Sequence, residues 1–452
     1  MPEKNQVYTA EITSLTNEGS GVCRIDGMAV FVPGTAAGDV AEIKVVKVLS
    51  HYAFGILQKI ITPSPDRIEN DCPVFKQCGG CVFRHISYDA EVRAKDDIVR
   101  DAFRRIGGLD PVFDEFISAD QTDRYRNKGQ FPLAKVDGKA VCGFFAPRSH
   151  RVIPVGDCPL QPEVFSSIVK TALDYIDKKG ISVYEEKSNT GILRHIYLRQ
   201  GAHSGQIMVC FVVRKDVSRQ LRPICSLLTE KFPDIKSIVM NINPDKTNVI
   251  LGNKWVTLSG SDVITDIMCG NTISISPAAF YQVNTVQAEK MYAKALEYVE
   301  PSPDDVIADL YCGAGTIGLS MAEKVKTVVG IEIVPEAIEN AKENAAANNI
   351  NNAEFYCGDA GEVFEKLRRN GCSPRIVLLD PPRKGCSPDT LKAVVSACPD
   401  KIVMISCNPS TAARDAKLLS ENGYSVHKVC GADFFPRTRH VECVVLMSRD
   451  KG

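Results

Sequence analysis

Short runs in which apolar residues alternate with polar ones fill residues 7–60: "VYTAEITSL", "GVCRIDGMAVFVP", "DVAEIKVVKVLS" and "YAFGILQKI". Gly, Asn and Asp separate them at hairpin spacing, which predicts strands and a small five-stranded barrel of the oligonucleotide-binding type. A generic small barrel fits the same pattern. "ITPSPDRIEND" comes next as a linker. Behind a Ser or Asp cap, Val92, Ile98, Val99, Ala102, Phe103 and Ile106 then form an apolar stripe that stops at Gly107-Gly108, which predicts a helix. Residues 124–275 read as strand-rich with one or two helices. From about 276 the rhythm changes again. "VIADLYC", "TVVGIEI", "AEFYCG", "RIVLLD" and "KIVMIS" are short apolar strands, with helical stretches such as "PEAIENAKENAAANN" and "STAARDAKLLSENG" among them. Such alternation predicts an α/β fold, a parallel sheet with helices on its faces, whose ligands sit beyond the carboxyl ends of the strands.

A chain of 452 residues has room for about three domains. The pattern divides them as residues 1–62 (barrel), 63–275 (β-rich, its helix at about 88–108 free to pack on the third domain) and 276–452 (α/β). Composition adds two constraints. Seventeen cysteines, with neither a membrane-length apolar run nor a signal peptide at the start, point to a reducing cytoplasm. There thiols stay free to bind metal or act as nucleophiles. A net charge of −1 excludes a basic nucleic-acid coat, so any polyanion must be held by a local patch. Nothing calls for an obligate protein partner or a membrane, and a monomer is expected.

The strand ends carry the candidate chemistry. The first runs into "DLYCGAGTIG", where Gly313, Gly315 and Gly318 spell a G-x-G-x-x-G turn. The second ends in Glu332, placed to accept hydrogen bonds from ribose hydroxyls, although acids at helix starts are also common for their own sake. A dinucleotide and S-adenosylmethionine both suit this pair. Asp309 before the glycines and Asp359 after the third strand favour the cationic one, S-adenosylmethionine. The fourth strand delivers "LLDPPRKGC" with Asp380, and the fifth "MISCNPST" with Cys407 at the position where this fold places reacting groups. Glu442 lies in the apolar "RHVECVVLM", where burial would raise its pKa and suit it to proton transfer.

Together with "PAAFYQVN", "ISCNPSTAARD" and "FFPRTRHVECVVLM", these motifs resemble the RNA uracil-5-methyltransferase family over nearly the whole chain. The "SCNP" and "HVEC" pair is the specific part. The resemblance implies a Rossmann-like class I methyltransferase domain and an N-terminal TRAM barrel that binds RNA. It also implies Cys407 as the nucleophile that adds to uracil carbon 6 and Glu442 as the base that removes the carbon 5 proton. Gln282, Tyr311, Glu332 and Asp380 would line the S-adenosylmethionine site, with Thr316 and Asp359 as further candidates. Within this family the combination of TRAM domain and cysteine cluster implies 23S ribosomal RNA as substrate, with transfer RNA as the alternative. An exocyclic-amine methylase also uses Asp-Pro-Pro but needs no cysteine. A non-catalytic RNA-binding or redox-sensing relative would not need every polar position filled. Arg124, Arg126, Lys128, Arg148, Arg151, Arg437 and Arg439 are candidate phosphate contacts.

"DCPVFKQCGGC" gathers Cys72, Cys78 and Cys81, and needs a fourth ligand from elsewhere. Cys158, followed by a proline, is the best candidate; Cys142 lies in what reads as a strand interior. The residues alone leave zinc and an iron–sulfur centre open. The resemblance implies a [4Fe–4S] cluster in the β-rich domain, held by Cys72, Cys78, Cys81 and Cys158.

Overall fold

A computed structural model describes residues 1–450. The alternating N-terminal runs form a barrel of six strands, ordered Val7–Glu11, Val40–Val48, Tyr52–Thr62, Met28–Pro33, Ser20–Ile25 and Ser14–Leu15. Its core is built by Ile12, Cys23, Val30, Val32, Ile43 and Val45. The strand beyond the five expected is Ser14–Leu15, two residues paired with Val22 and Gly21 and too short to show as an alternation.

The middle of the chain builds a seven-stranded sheet from Val152–Pro154 at one edge to Lys254–Gly260 at the other. One face is covered by helices Glu163–Lys179 and Ser218–Lys231, through Phe165, Ile168, Leu221 and Ile224. The other face presents Tyr197, Met208, Cys210 and Val212 to the helix Thr285–Val299, and so shares a core with the C-terminal sheet. This shared face explains why the strands Leu193–Gln200 and Ile207–Val213 are buried on both sides, although only the second is apolar throughout.

The C-terminal sheet has eight strands, ordered Ala353–Cys357, Thr327–Glu332, Val306–Leu310, Ile376–Leu379, Lys401–Ser406, Glu442–Arg449, Tyr424–Ala432 and Val112–Phe113. The first five run parallel, and Glu442–Arg449 is antiparallel to its neighbours on both sides. The order reverses between Val306–Leu310 and Ile376–Leu379, which places a ligand crevice at their carboxyl ends. The helix Tyr88–Asp101, capped by the Ser87 hydroxyl and continued by a π-helical turn to Gly107, packs Val99 and Phe103 against this sheet. Gly108 closes it at φ 66°. Among the described residues no helix is long and apolar enough to cross a membrane.

Candidate active site

At the head of the crevice the chain turns sharply. Tyr311 sits at φ 71°, and its N–H and that of Cys312 both donate to the Ile331 carbonyl. A non-glycine residue in this region is held there by its surroundings and marks a site under constraint. Gly315, at φ 80°, opens the helix Thr316–Met321. A Cβ on Gly318 would lie 2.8 Å from Val328 and 3.0 Å from the Asp309 carboxylate, so only glycine lets this helix pack so close to the sheet. Asp309 is fully buried beneath the loop and accepts the Gly318 N–H at 3.0 Å, while its second oxygen has no partner. Burial pushes its pKa up to about 7; the Gly318 amide opposes this and the Glu332 charge adds to it.

Half-buried Glu332 accepts the N–H groups of Gly313 (3.2 Å) and Val334 (3.0 Å), one on each oxygen, leaving lone pairs for hydroxyl donors. Gln282 donates to the Tyr292 hydroxyl (3.2 Å), which lies 3.5 Å from the Thr316 hydroxyl. Asp380 faces the same group: after burial, its charge is the next cause that raises the Tyr292 pKa. Tyr292 therefore ties Gln282 to Thr316, within reach of the Asp380 charge. Only its place on the apolar face of a helix could have signalled it in the sequence. Two candidates are engaged elsewhere. Asp359 caps the helix Ala360–Arg369 through the Gly361 and Glu362 amides, and the Tyr311 hydroxyl pairs with Thr390 at 3.0 Å.

The reactive end lies next door. Ser406 pairs with Cys443 across antiparallel strands, so Cys407, just past Ser406, and Glu442, just before Cys443, face each other at the strand ends. Glu442 is 7 % exposed; burial and then the Asp380 charge push its pKa up to about 8, against the pull of Arg383. Cys407 is pushed up to about 11 by burial, then by Glu442 and Asp380, and Arg383 again opposes. Arg383 thus acts on both groups, and sequence reasoning missed it although it stands in "DPPRKG". Asn408 holds its carbonyl (3.1 Å), and the guanidinium approaches His440 at 3.4 Å. Positive neighbours, added to burial, push His440 down to about 4, so the ring is neutral.

Outside this crevice, Cys72, Cys78, Cys81 and Cys158 line one cavity of about 450 Å³ together with Arg84, Arg126 and Lys128. Cys142 is not among its walls. It is buried in the sheet opposite Leu133. Burial is the main cause that raises Cys81 to about 12, with Cys158 and Cys78 adding and Arg84 opposing. The buried Nε of Arg84 has no hydrogen-bond partner. No three His, Cys, Asp or Glu side chains among the described residues converge as a single-ion site requires.

The candidate phosphate contacts separate into two sets. Arg124 is paired to Asp157, Arg437 is buried, Arg439 pairs with Glu18, and Lys128 is pushed down to about 8 by burial. Arg148 and Arg151 are exposed, and Arg126 lies over the Phe435 ring. On the barrel, Phe31, Tyr52 and Phe54 form a triangle of rings with centroids 5.6–5.9 Å apart, flanked by exposed Arg24 and Lys47.

With this geometry in hand, the family model described as tRNA (uracil-5-)-methyltransferase matches residues 87–450, and the TRAM domain matches residues 3–57. The chain belongs to the tRNA (uracil-5-)-methyltransferase family. It is 42 % identical over 448 residues to an RNA methyltransferase of Bacillus cereus (99 % of this chain, 97 % of the relative). It is 41 % identical over 446 residues to one of Clostridium tetani, with the same coverage. Among solved structures it is similar to the Pyrococcus abyssi tRNA (uracil-54, C5)-methyltransferase in complex with S-adenosyl-L-homocysteine. That match has a TM-score of 0.77 and 26 % identity, and covers 97 % of this chain and all of that one. The protein is an S-adenosylmethionine-dependent RNA (uracil-5-)-methyltransferase with an α/β fold and an N-terminal TRAM domain.

Proposed function

We propose that the protein methylates carbon 5 of a specific uridine in 23S ribosomal RNA, with Cys407 as nucleophile and Glu442 as base. The observation that carries the two roles is their placement face to face at the strand ends beside Asp380. Carbon 5 of uracil is a poor nucleophile. Addition of Cys407 Sγ to carbon 6 makes it an enolate carbon, which splits one hard step into easier ones. S-adenosylmethionine, when bound, supplies the electrophilic methyl group. Glu332 suits its ribose hydroxyls, and Gln282, Thr316 and Asp380 suit the polar end near the reacting carbon. Tyr311 and Asp359, engaged with Thr390 and with the helix Ala360–Arg369, are further candidates for its binding. After transfer, Glu442 takes the carbon 5 proton, the C6–S bond breaks, and the double bond returns. The uracil must leave its stack to admit attack from one face and transfer to carbon 5, so base flipping is expected.

Four thiols lining one cavity suit a polynuclear centre in which each thiolate takes a different iron, although no three metal-ligating side chains among the described residues converge on one point. We propose a [4Fe–4S] cluster on Cys72, Cys78, Cys81 and Cys158. The cations Arg84, Arg126 and Lys128 on the same walls suit its negative charge. The domains proposed are residues 1–62, 63–275 and 276–452.

A second reading of the substrate, a transfer-RNA uridine, is favoured by the full-length likeness to the Pyrococcus abyssi enzyme, which extends through the barrel. The barrel alone therefore does not discriminate between the two RNAs. Mass-spectrometric mapping of 5-methyluridine in both RNAs from a strain lacking the protein decides it. Loss from ribosomal RNA alone supports the first reading, and loss from transfer RNA alone replaces it.

A further inference from the structure

Between Ala432 and Glu442, which pair across the last two strands, the chain makes a loop that crosses the active-site end of the sheet. Five consecutive carbonyls of this loop are held from four parts of the protein: the start of the helix Thr285–Val299, Lys95, Tyr125 and the segment Val82-Phe83. The Asp433 carbonyl accepts from Gln287 (2.8 Å) and that of Phe434 from Asn284 (3.0 Å), two residues past Gln282. Lys95 donates to the Phe435 carbonyl (3.1 Å) and the Tyr125 hydroxyl to that of Pro436 (3.0 Å). The amides of Val82 and Phe83, which come directly after Cys81, both donate to the Arg437 carbonyl (2.9 and 3.1 Å).

Charge reinforces these bonds. Lys95 is wholly buried, with its ammonium 2.7 Å from both Glu91 and Asp433, which are wholly buried themselves. Glu91 also accepts the Arg437 amide at 2.6 Å, and the Arg437 guanidinium lies 3.5 Å from it while donating to the Ile86 carbonyl. Arg437 is held at φ 69°, a strained backbone for a residue with a side chain that only such over-determined surroundings maintain. Burying a lysine among two carboxylates is costly and adds little net stability compared with apolar packing. Its geometric result is a loop fastened at every residue from Asp433 to Arg437. That loop carries His440 against Phe435 (5.7 Å between rings) and leads directly into Glu442.

We infer that Asp433–Arg437 is a positioning hub and Lys95 its central positioning residue: it fixes Glu442 for proton removal and fastens the cysteine loop and the Gln282 segment to the same point. The inference rests on Glu442 being the base. A merely structural role would slow every step together, whereas a positioning role slows the Glu442 step selectively.

The test compares Lys95→Met and Tyr125→Phe with Glu442→Gln and the unaltered protein, on methyl-acceptor RNA with S-adenosylmethionine. Steady-state kinetics, melting temperature and the protein–RNA adduct on a denaturing gel are read in parallel. Tyr125→Phe, which loses a single hydroxyl, keeps the test alive where Lys95→Met fails to fold. The expected result is a fall in kcat of about tenfold for Tyr125→Phe and about 100-fold for Lys95→Met, the scale of small misplacements near a reacting centre. The RNA KM stays within about twofold, and adduct accumulates as in Glu442→Gln. Folded variants whose turnover is unchanged, or whose turnover falls without accumulation of adduct, overturn the hub while Glu442→Gln still accumulates it. If Glu442→Gln gives no adduct, the reading beneath falls and the inference with it.

Discussion

At the scale of single residues, the chemistry is a matter of where two protons sit. Glu442, with its pKa at about 8, holds its proton at neutral pH in the free protein, and Cys407, at about 11, is a thiol. The base works only when ionised, so the step that releases RNA should accelerate as pH rises through about 8 and flatten above it. A release rate that falls over this range would exclude Glu442 as the base. Glu442→Gln should lower turnover by about 100- to 10,000-fold, the usual worth of a positioned acid or base. The same substitution removes a negative charge that raises the Cys407 pKa. Alkylation of Cys407 by iodoacetamide at about pH 9 should therefore be severalfold faster than in the unaltered protein; an unchanged rate would mean that the two groups do not sense each other. Cys407 and Glu442 were legible in the sequence because their motifs lie at strand ends. Arg383 and Tyr292 were not, because a cation three residues past Asp380 and a tyrosine on an apolar helix face look ordinary until the fold brings them in.

At the scale of elements, the strand–helix alternation after residue 276 was readable because parallel strands buried on both faces are short apolar runs between amphipathic helices. The Ser14–Leu15 strand escaped because two residues carry no period. The phosphate candidates were the least legible group, since a sequence does not distinguish an arginine that braces its own chain from one that is free. Of seven, Arg124, Arg437 and Arg439 are engaged within the protein, and Arg148 and Arg151 are exposed. The barrel offers a better-defined surface. Base stacking on an exposed ring is worth about 1–3 kcal/mol per base. Phe54→Ala and Tyr52→Ala should therefore each raise the RNA KM by about fivefold to 100-fold with kcat little changed; unaltered KM values would remove this face from the RNA path. The cysteine elements make a separate prediction. Protein purified without oxygen should carry iron and sulfide near about four each per chain. Cys158→Ser should lose most of it and Cys142→Ser should keep it, while zinc alone in such preparations would refute the cluster.

For the whole molecule, the active site is stored strain in the form of buried acids. Asp309, Asp380 and Glu442 all have pKa values raised by burial. A raised carboxyl pKa means that the folded state holds its proton more tightly than the unfolded chain does. Stability is then greatest below the unfolded values near about 4 and is lost progressively as pH climbs to the folded values. Glu442→Gln and Asp380→Asn should accordingly lose less melting temperature than the unaltered protein between about pH 5 and pH 8. A parallel loss in all three proteins would mean that these acids are not desolvated. The same neutral variants should lose activity, the usual conflict between a stable fold and a reactive site.

The central claim is that one thiol of the 17 in the chain attacks the base. RNA substituted with 5-fluorouridine puts fluorine where Glu442 would remove a proton, so the adduct formed after methyl transfer cannot resolve. Digestion of that trapped complex and mass spectrometry of its peptides identify the bonded sulfur. The account predicts the nucleotide on the peptide containing Cys407 and no trapped complex from Cys407→Ala. A nucleotide on any other cysteine, or trapping that survives Cys407→Ala, would contradict it.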